Sequence, residues 1–93
     1  METIFDPAKS QRNFDLRGIA FERAADFEFA TALSWLDQRK DYGEGRWIAL
    51  GYLGERLHVL CYLEIPEGVR VISLRKANER ERRTYDQAQA HDR

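Results

Sequence analysis

The sequence is poor in cysteine and in long hydrophobic runs, and each shortage excludes a class of protein. Cys61 is the only cysteine among 93 residues, which excludes an intrachain disulfide and a cysteine-built zinc site. No apolar run approaches the roughly 18 residues of a membrane-spanning helix. Residues 1–3 do not resemble the start of a signal peptide. We therefore expect a cytoplasmic protein with no membrane association.

An excess of charge of one sign is also missing. The chain carries 15 Lys and Arg residues against 16 Asp and Glu residues, which gives a formal net charge of −1. A protein that coats nucleic acid over its whole surface needs a large positive charge, so any site for a polyanion must be a local patch. At 93 residues, of which 43% are hydrophobic, the chain can bury one thin core. We predict a single domain over residues 1–93.

Capping residues and apolar spacing predict two helices in the N-terminal third. Asp6 is a favourable N-cap and Pro7 suits the first helical position, so a helix should begin there and reach about Leu16. Gly18 can end this helix in a left-handed conformation. Apolar residues at helical spacing then predict a second, shorter helix over residues 21–29.

Four segments rich in β-prone residues follow, and they predict an antiparallel sheet. Three of them span residues 31–36, 46–52 and 56–64, and the fourth begins at residue 69. The dipeptide Gly54-Glu55 should join the second and third strands in a tight hairpin.

The last strand leads directly into a predicted helix. Asn78 is followed three residues later by Glu81, which is the pattern of a capping box, so the helix should begin at Glu79. The predicted fold class is therefore α+β, with two N-terminal helices, a four-stranded antiparallel sheet and a C-terminal helix. This strand and helix also bring together a local cluster of cations: Arg75, Lys76, Arg80, Arg82 and Arg83.

Strand alternation assigns side chains to the two faces of the sheet. In the register set by the hairpin, one face is wholly apolar and is the expected core: Ile48, Leu50, Leu57, Val59 and Cys61. The other face is mixed, because His58 and Tyr62 lie there beside Trp47 and Leu60. Pairing of the last strand adds Val71, Ser73 and Arg75 to this mixed face. We therefore predict that Tyr62 and Arg75 converge on one uncovered side of the sheet.

Tyr62 and Arg75, with Arg46 at a nearby strand start, suit cleavage of a phosphodiester. Negative charge that develops on the phosphate needs fixed cations, and arginine offers a planar, permanently charged fork. A tyrosine, a glutamate or a histidine could then move the proton. The alternative interpretation is a surface arginine paired with Glu44 or Glu64, and a tyrosine ring that only packs.

The remaining polar candidates each leave two interpretations open. His58 is either a proton carrier or a half-buried packing residue. Arg80 and Arg83 lie three residues apart and either reach phosphates or belong to a solvated helix with many ion pairs. Paired histidines or cysteines at metal-ligand spacing are missing, so no metal and no cofactor are expected.

Several motifs together resemble those of the BrnT family of toxins. The resemblance covers about residues 4–86, and it includes the opening segment 5–9, the segment 18–22 and the single residue Gly51. Its main motifs are Asp37-x-Arg39-x-Asp41-Tyr42-Gly43-Glu44-x-Arg46-Trp47, and residues 69–77 followed by Glu81 and Tyr85.

This resemblance implies a RelE-like fold and a ribonuclease that arrests translation by cleaving RNA without a metal ion. It also implies a BrnA-like antitoxin that covers the toxin, forms a hetero-oligomer with it and represses their shared operon. The residues that it implies for catalysis are Glu44, Arg46, Tyr62 and Arg75. The residues expected to contact the RNA chain are Lys40, His58, Lys76, Arg80 and Arg83.

The sequence departs from the family pattern at two places. It has Tyr62-Leu63-Glu64-Ile65 where the family commonly has Tyr-Thr-x-Arg, and Leu16-Arg17-Gly18 where the family has Lys-His-Gly. A hydroxyl, a cation and another proton carrier are therefore missing. The alternative hypothesis is a catalytically weak or inactive binding module, whose cationic face binds an acidic partner such as a DNA-binding antitoxin.

Overall fold

The computed structural model describes residues 1–91, and a sheet of five strands forms its centre. The elements in chain order are β1 (Glu2–Ile4), α1 (Pro7–Arg17), β2 (Leu33–Leu36), β3 (Arg46–Leu53), β4 (Arg56–Ile65), β5 (Gly68–Lys76) and α2 (Glu79–His91). The strand order is β1-β5-β4-β3-β2, in which β1 is parallel to β5 and the other neighbours are antiparallel. The α+β class is confirmed. None of the described helices is both long and apolar enough to cross a membrane.

Helix α1 forms as its capping residues predict. The Asp6 carboxylate accepts a hydrogen bond from the Ala8 amide at 2.9 Å, and Pro7 occupies the first turn. Gly18 ends the helix at φ 75°, where its amide donates to the Phe14 carbonyl at 2.8 Å. Because glycine lacks a Cβ, it adopts this left-handed conformation without steric cost.

The second predicted helix, over residues 21–29, is wrong. Two short 3-10 helices occupy this region instead, Phe21–Asp26 and Phe29–Thr31. Ala20 provides no side-chain cap, and Phe27 has an extended backbone at φ −66° and ψ 132°. The helical pattern is therefore broken after six residues, which is a length typical of a 3-10 segment rather than an α-helix.

The prediction of a four-stranded antiparallel sheet is also wrong, because β1 adds a parallel fifth strand. It pairs Glu2 with Gly68 and Ile4 with Arg70 along the edge of β5. Three residues are too few to show an alternating pattern in the sequence. A Cβ on Gly68 would lie 2.0 Å from the Glu2 carbonyl oxygen, so this close approach requires glycine.

One side of the sheet, which we call the covered face, lies against α1 and the 3-10 helices. Ala49, Leu60 and Leu74 are fully buried there, together with Phe21 and Phe27 from the covering segment. The opposite side, which we call the cleft face, carries Ile48, Leu50, Leu57, Val59, Cys61, Ser73 and Arg75. The predicted hairpin register is confirmed, but the face expected to be open is the one that the N-terminal segment covers.

A β-bulge in β5 changes which side chains share a face. Cys61 pairs with Ser73 and Tyr62 pairs with Val71, so Ile72 has no partner in the ladder. The extra residue reverses the alternation, because side chains change sides with each step along a strand. Arg75 therefore lies on the cleft face and Tyr62 on the covered face. The prediction that Tyr62 and Arg75 converge on one side of the sheet is wrong.

Helix α2 covers part of the cleft face. Its predicted capping box is confirmed: the Glu81 amide donates to Asn78 Oδ1 at 2.8 Å, and the Asn78 amide donates to Glu81 Oε1 at 2.9 Å. Further along the helix, the Tyr85 hydroxyl donates to the Thr31 carbonyl at 3.0 Å, and its ring packs edge-on against Tyr52. These contacts bury Leu50, Leu57 and Val59 and leave the other half of the face open.

Candidate functional site

The open half of the cleft face forms a concave pocket of about 360 Å³. Strands β2 to β5 form its floor, the loop after β2 forms one side, and the start of α2 forms the other. It is lined by Trp35, Arg39, Ile48, Val59, Cys61, Ser73, Arg75 and Glu81. We refer to this pocket as the cleft.

Arg75 is held in the cleft by a two-point contact with Glu81. Its Nη1 donates to Glu81 Oε1 at 2.9 Å and its Nη2 donates to Oε2 at 2.8 Å, while Nη1 also donates to the Lys76 carbonyl at 3.2 Å. The hydrogen bond raises the pKa of Arg75 and lowers the pKa of Glu81. Among the described residues, Nε–H and one Nη2–H have no acceptor. One edge of the guanidinium therefore remains available to a ligand.

Arg39 is held by Asp37 in a similar way but through the other edge. Its Nε donates to Asp37 Oδ1 at 2.8 Å and its Nη2 donates to Oδ2 at 2.7 Å. The Asp37 side chain is 1% exposed and the Arg39 side chain 73% exposed, so a buried carboxylate positions an exposed cation. The hydrogen bond from Arg39 holds the pKa of Asp37 well below its usual range. Nη1 has no acceptor within residues 1–91 and can reach a ligand.

Arg46 lies at the margin of the cleft, where it contacts an acid and an aromatic ring. Its Nε donates to Glu44 Oε2 at 3.0 Å, and its guanidinium carbon lies 4.2 Å from the centre of the Tyr42 ring. The Lys40 ammonium lies 5.2 Å from the same ring centre. Tyr42 thus arranges two cations at this margin by cation–π contact.

The positive charges of the nearby arginines affect the pKa values of Cys61 and Arg75 in the cleft. Burial raises the pKa of the Cys61 thiol at the cleft floor, while the positive charges of Arg46 and Arg39 oppose that rise. The charge of Arg39 also lowers the pKa of Arg75, against the larger effect of Glu81. Arg39 and Arg75 both line this floor, and Arg46 lies two residues before Ile48 on the same face of β3.

The predicted site residues therefore divide between the two faces. Arg75 lines the cleft, and Arg46 lies on the same face at the start of β3, where it contacts Glu44 directly and shares the Tyr42 ring with Lys40. Tyr62 is 7% exposed on the covered face, with its ring 5.5 Å from that of Phe29, and burial raises its pKa. The structure thus separates the phenol from the arginines that were expected to act with it.

His58 and Lys76 lie opposite each other in the ladder, and both belong to the covered face. His58 is buried, its Nδ1 lies 2.8 Å from the Arg56 carbonyl oxygen, and burial lowers its pKa. On α2, Arg80 and Arg83 are exposed. At 3.6 residues per turn, Arg83 lies about 200° around the helix from Glu81 and so faces away from the sheet, whereas Arg80 lies about 100° away.

Sequence reasoning missed three residues that line the cleft and a fourth on the same face. Arg39 had a signal, because a carboxylate two residues earlier in the same loop can bind its guanidinium. Glu81 was identified as a helix cap and as part of a family motif, but not as the partner of Arg75. Trp35 had no signal, because its face depends on the partner strand, where it pairs with Ile48. Arg70 shares the cleft face by its pairing with Leu63 beyond the bulge, although it does not line the cleft.

A second concavity, of about 390 Å³, lies beside α1 and differs in its chemistry. Its lining consists of Phe5, Pro7, Ser10, Gln11, Phe14, Ala20 and Glu22, so it holds one acid and no cation. The acid already accepts a hydrogen bond from the Ser10 hydroxyl at 2.8 Å. Across the described part of the chain, no group of three His, Cys, Asp or Glu side chains could hold a metal ion. The cleft is therefore the better site for an anionic ligand.

Comparison with protein families defines the class to which this cleft belongs. A family model described as "Ribonuclease toxin, BrnT, of type II toxin-antitoxin system" matches residues 5–81. The match includes every residue that lines the cleft and ends at Glu81, the partner of Arg75. No curated protein and no solved structure matches the chain.

The chain belongs to the BrnT family, and it is therefore a ribonuclease toxin of a type II toxin–antitoxin system. The predicted family resemblance is confirmed. A toxin of this type has an antitoxin protein as its partner.

Proposed function

We propose that this toxin is a metal-independent endoribonuclease and that the cleft is its active site. The observation that carries the proposal is that two guanidinium groups, those of Arg39 and Arg75, line one open cleft, with Arg46 two residues before Ile48 on the same face of β3. Negative charge gathers on the phosphate as an RNA phosphodiester is cleaved. Fixed cations at that place stabilise the transition state more than the ground state, and this difference accelerates the reaction.

Both cleft arginines can bind a phosphate without leaving their carboxylates. Glu81 occupies the Nη1/Nη2 edge of Arg75, which leaves the Nε/Nη2 edge for two phosphate oxygens. Asp37 occupies the Nε/Nη2 edge of Arg39, which leaves Nη1 and one Nη2 hydrogen. The carboxylates thus hold the cations in place before a substrate arrives, so little side-chain conformational entropy is lost when the substrate binds.

The proposed cleavage uses the 2′-hydroxyl of the substrate's own ribose. Its oxygen attacks the neighbouring phosphorus, and the bond from phosphorus to the 5′-oxygen of the next nucleotide breaks. The 2′-hydroxyl proton passes to a carboxylate, for which Glu44 beside Arg46 is the candidate, and the departing oxygen takes a proton from water. The products are a cyclic 2′,3′-phosphate and a 5′-hydroxyl. Tyr62 takes no part, because it lies on the covered face.

The wider role follows from the class of toxin. We propose that cleavage of RNA in the cytoplasm arrests translation, and that Lys40 and Arg80 contact the RNA backbone on the two sides of the cleft. A BrnA-like antitoxin would form a hetero-oligomer with the toxin and neutralise it by covering the open half of the cleft face. The exposed side chains there, both charged and aromatic, support this placement of the partner.

The test is an RNA-cleavage assay with Arg75→Ala, in parallel with growth after expression of the toxin alone. Loss of one fixed cation at the phosphate should lower the cleavage rate about 100-fold or more. Arg12→Ala is the matched control, since Arg12 is exposed on α1, on the other side of the sheet. Circular dichroism confirms that each variant is folded. Cleavage should persist with excess chelator, and an Arg75→Ala toxin that arrests growth like the parent would overturn the proposal.

A second candidate function is a binding module without catalysis. One observation favours it: the phenol of Tyr62 and the imidazole of His58 are both on the covered face, so fewer proton carriers border the cleft than the sequence predicts. Under this hypothesis the isolated chain would cleave no RNA, with or without added metal, and its expression would not slow growth. It would still bind its antitoxin.

A further inference from the structure

Trp35 is an exposed tryptophan beside the cleft arginines. It lies on β2, the edge strand of the sheet, and pairs with Ile48, so its ring belongs to the cleft face. The residue is 42% exposed and lines the cleft together with Arg39 and Arg75. Exposure of so much apolar ring surface to water is unfavourable, and a bound ligand would relieve it.

The packing of the core does not explain this ring. Trp47, the other tryptophan, packs against the buried cluster on the covered face, whereas Trp35 belongs to neither buried cluster. Leu36, the next residue along the strand, is also exposed, but it pairs with Trp47 and so faces the opposite side of the sheet. Trp35 is therefore a single aromatic surface among charges and not part of a wide apolar patch.

We propose that the Trp35 ring is a stacking platform for one unpaired nucleobase of a single-stranded RNA, next to the phosphate that Arg39 and Arg75 bind. This inference rests on the proposed ribonuclease function and adds a base subsite to it. Every nucleobase has a flat π-face, and stacking on an exposed aromatic side chain is how many proteins hold single-stranded RNA. A base within a duplex is covered on both faces by its neighbours, so the substrate must be unpaired at this position.

The dimensions of the sheet are compatible with one base and its phosphate in the same cleft. Trp35, Ile48, Cys61 and Ser73 form a row across four neighbouring strands. At about 4.8 Å between strands, this row spans about 14 Å. A base on Trp35 at one end therefore leaves room within the same cleft for its phosphate to approach the guanidinium groups of Arg39 and Arg75.

A platform of this kind holds a base without identifying it. Stacking is tolerant of sequence, because no hydrogen bond to a base edge is involved. The neighbouring charges are likewise directed to phosphate oxygens, which are the same at every nucleotide. We therefore infer that Trp35 selects RNA by its single-stranded state, and that the ring adds affinity at one position of the chain.

The test measures binding of a short single-stranded RNA whose riboses carry 2′-O-methyl groups, so that it cannot be cleaved by its own 2′-hydroxyl. Trp35→Ala should weaken binding by about 5- to 150-fold, the range that one base–aromatic stack supports. Trp35→Phe, which keeps an aromatic face, should retain most of the affinity. In a Trp47→Phe protein, Trp35 is the only tryptophan, and its fluorescence should be quenched when the RNA binds.

The same RNA with one base removed provides a second test, in which the RNA rather than the protein loses the stacking partner. An abasic nucleotide at the stacked position should weaken binding to the parent protein, whereas Trp35→Ala should bind the intact and abasic RNAs equally. If the parent cleaves ordinary RNA but Trp35→Ala binds and cleaves like the parent, the inference is overturned and the ribonuclease function stands. If the parent neither binds nor cleaves RNA, both fail.

A protein partner provides the remaining alternative outcome. If Trp35→Ala weakens binding of the antitoxin and leaves RNA binding unchanged, the ring belongs to a protein interface and the inference is overturned. If both kinds of binding weaken and the abasic RNA behaves as expected, the inference stands and the antitoxin covers the base subsite.

Discussion

The two faces of the sheet use the same strands for different purposes. On the covered face, Leu60 and Leu74 are 0% exposed and belong to the same buried cluster as Phe21 and Phe27 of the covering segment. On the cleft face, arginines are held by carboxylates and an aromatic ring remains exposed. Because successive side chains of a strand point to opposite faces, the same strands can provide core residues on one face and charged residues for a ligand on the other.

The two helices that cover the sheet are attached by different kinds of contact, neutral for α1 and partly charged for α2. Asn13 on α1 donates to the carbonyls of Ile19 and Leu74 at 2.8 and 2.9 Å, a link without charged partners on the covered side of the sheet. Helix α2 is attached through Glu81, which both caps the helix and holds Arg75, and through Tyr85. Substitutions of Arg75 or Glu81 should therefore weaken the attachment of α2 to the sheet, whereas the hydrogen bonds of Asn13 that attach α1 do not involve either side chain.

The largest expected effect compares core truncations on the two faces. Leu60→Ala should lower the free energy of unfolding by about 2–5 kcal/mol, because it leaves a cavity in a fully buried cluster. Ile48→Ala lies in the open half of the cleft face and should cost about 1 kcal/mol, since its side chain is only partly buried. Urea unfolding measures both. Equal losses would mean that the cleft face is as closely packed as the covered face.

A smaller effect concerns the charge of Glu81. Its folded pKa is lowered below the ordinary value of 4.5, so its stabilisation is present above that pH and is lost as the pH falls through the folded pKa. Glu81→Gln keeps a capping side chain but removes the charge. We expect it to cost up to about 1 kcal/mol at pH 7, because the pair is partly exposed to solvent.

The measurement for Glu81→Gln is urea unfolding at pH 7 and at pH 3. The difference between parent and variant should shrink at the lower pH, because below 4.5 the unfolded parent binds a proton at Glu81 that the folded parent binds less readily. Asp37 remains in both proteins, so any acid dependence that they share is not due to Glu81. A difference that stays constant from pH 7 to pH 3 would contradict the assigned role of the charge.

The smallest expected effect is on activity, from Tyr62→Phe. Since the phenol lies on the covered face, its removal should leave the RNA-cleavage rate within about twofold of the parent, even if stability falls slightly. Cleavage is measured under conditions in which both proteins are folded. A tenfold or larger loss of cleavage would mean that the phenol reaches the substrate and that the two faces are not functionally separate.

Local chemistry made part of this fold predictable. The caps at Asp6 and at Asn78 with Glu81 set helix starts through hydrogen bonds within three residues, and the turn at Gly54 sets the hairpin register. All three signals act over a few residues, and the structure has them as predicted. The family motifs likewise indicated the class of toxin, which the family match confirms.

The rest depends on contacts that the sequence does not display. Strand β1 is too short to have a period, and its pairing with β5 joins segments more than sixty residues apart. The bulge at Ile72 has no signal in an otherwise regular strand, yet it decides the face of Arg75. The functional pairing was wrong because of this bulge, since Tyr62 and Arg75 would share a face if the pairing of Glu64 with Val69 continued along β5 without it.

The bulge at Ile72 also restricts the number of residues that β5 can have between Arg70 and Arg75. Arg70 and Arg75 are five positions apart, a spacing that would direct them to opposite sides of a regular strand, yet both lie on the cleft face. Loss of a single residue between them would turn Arg70 into the hydrophobic interior and Val69 and Val71 out to water. The length of this segment is therefore under stricter constraint than the identity of Ile72 itself.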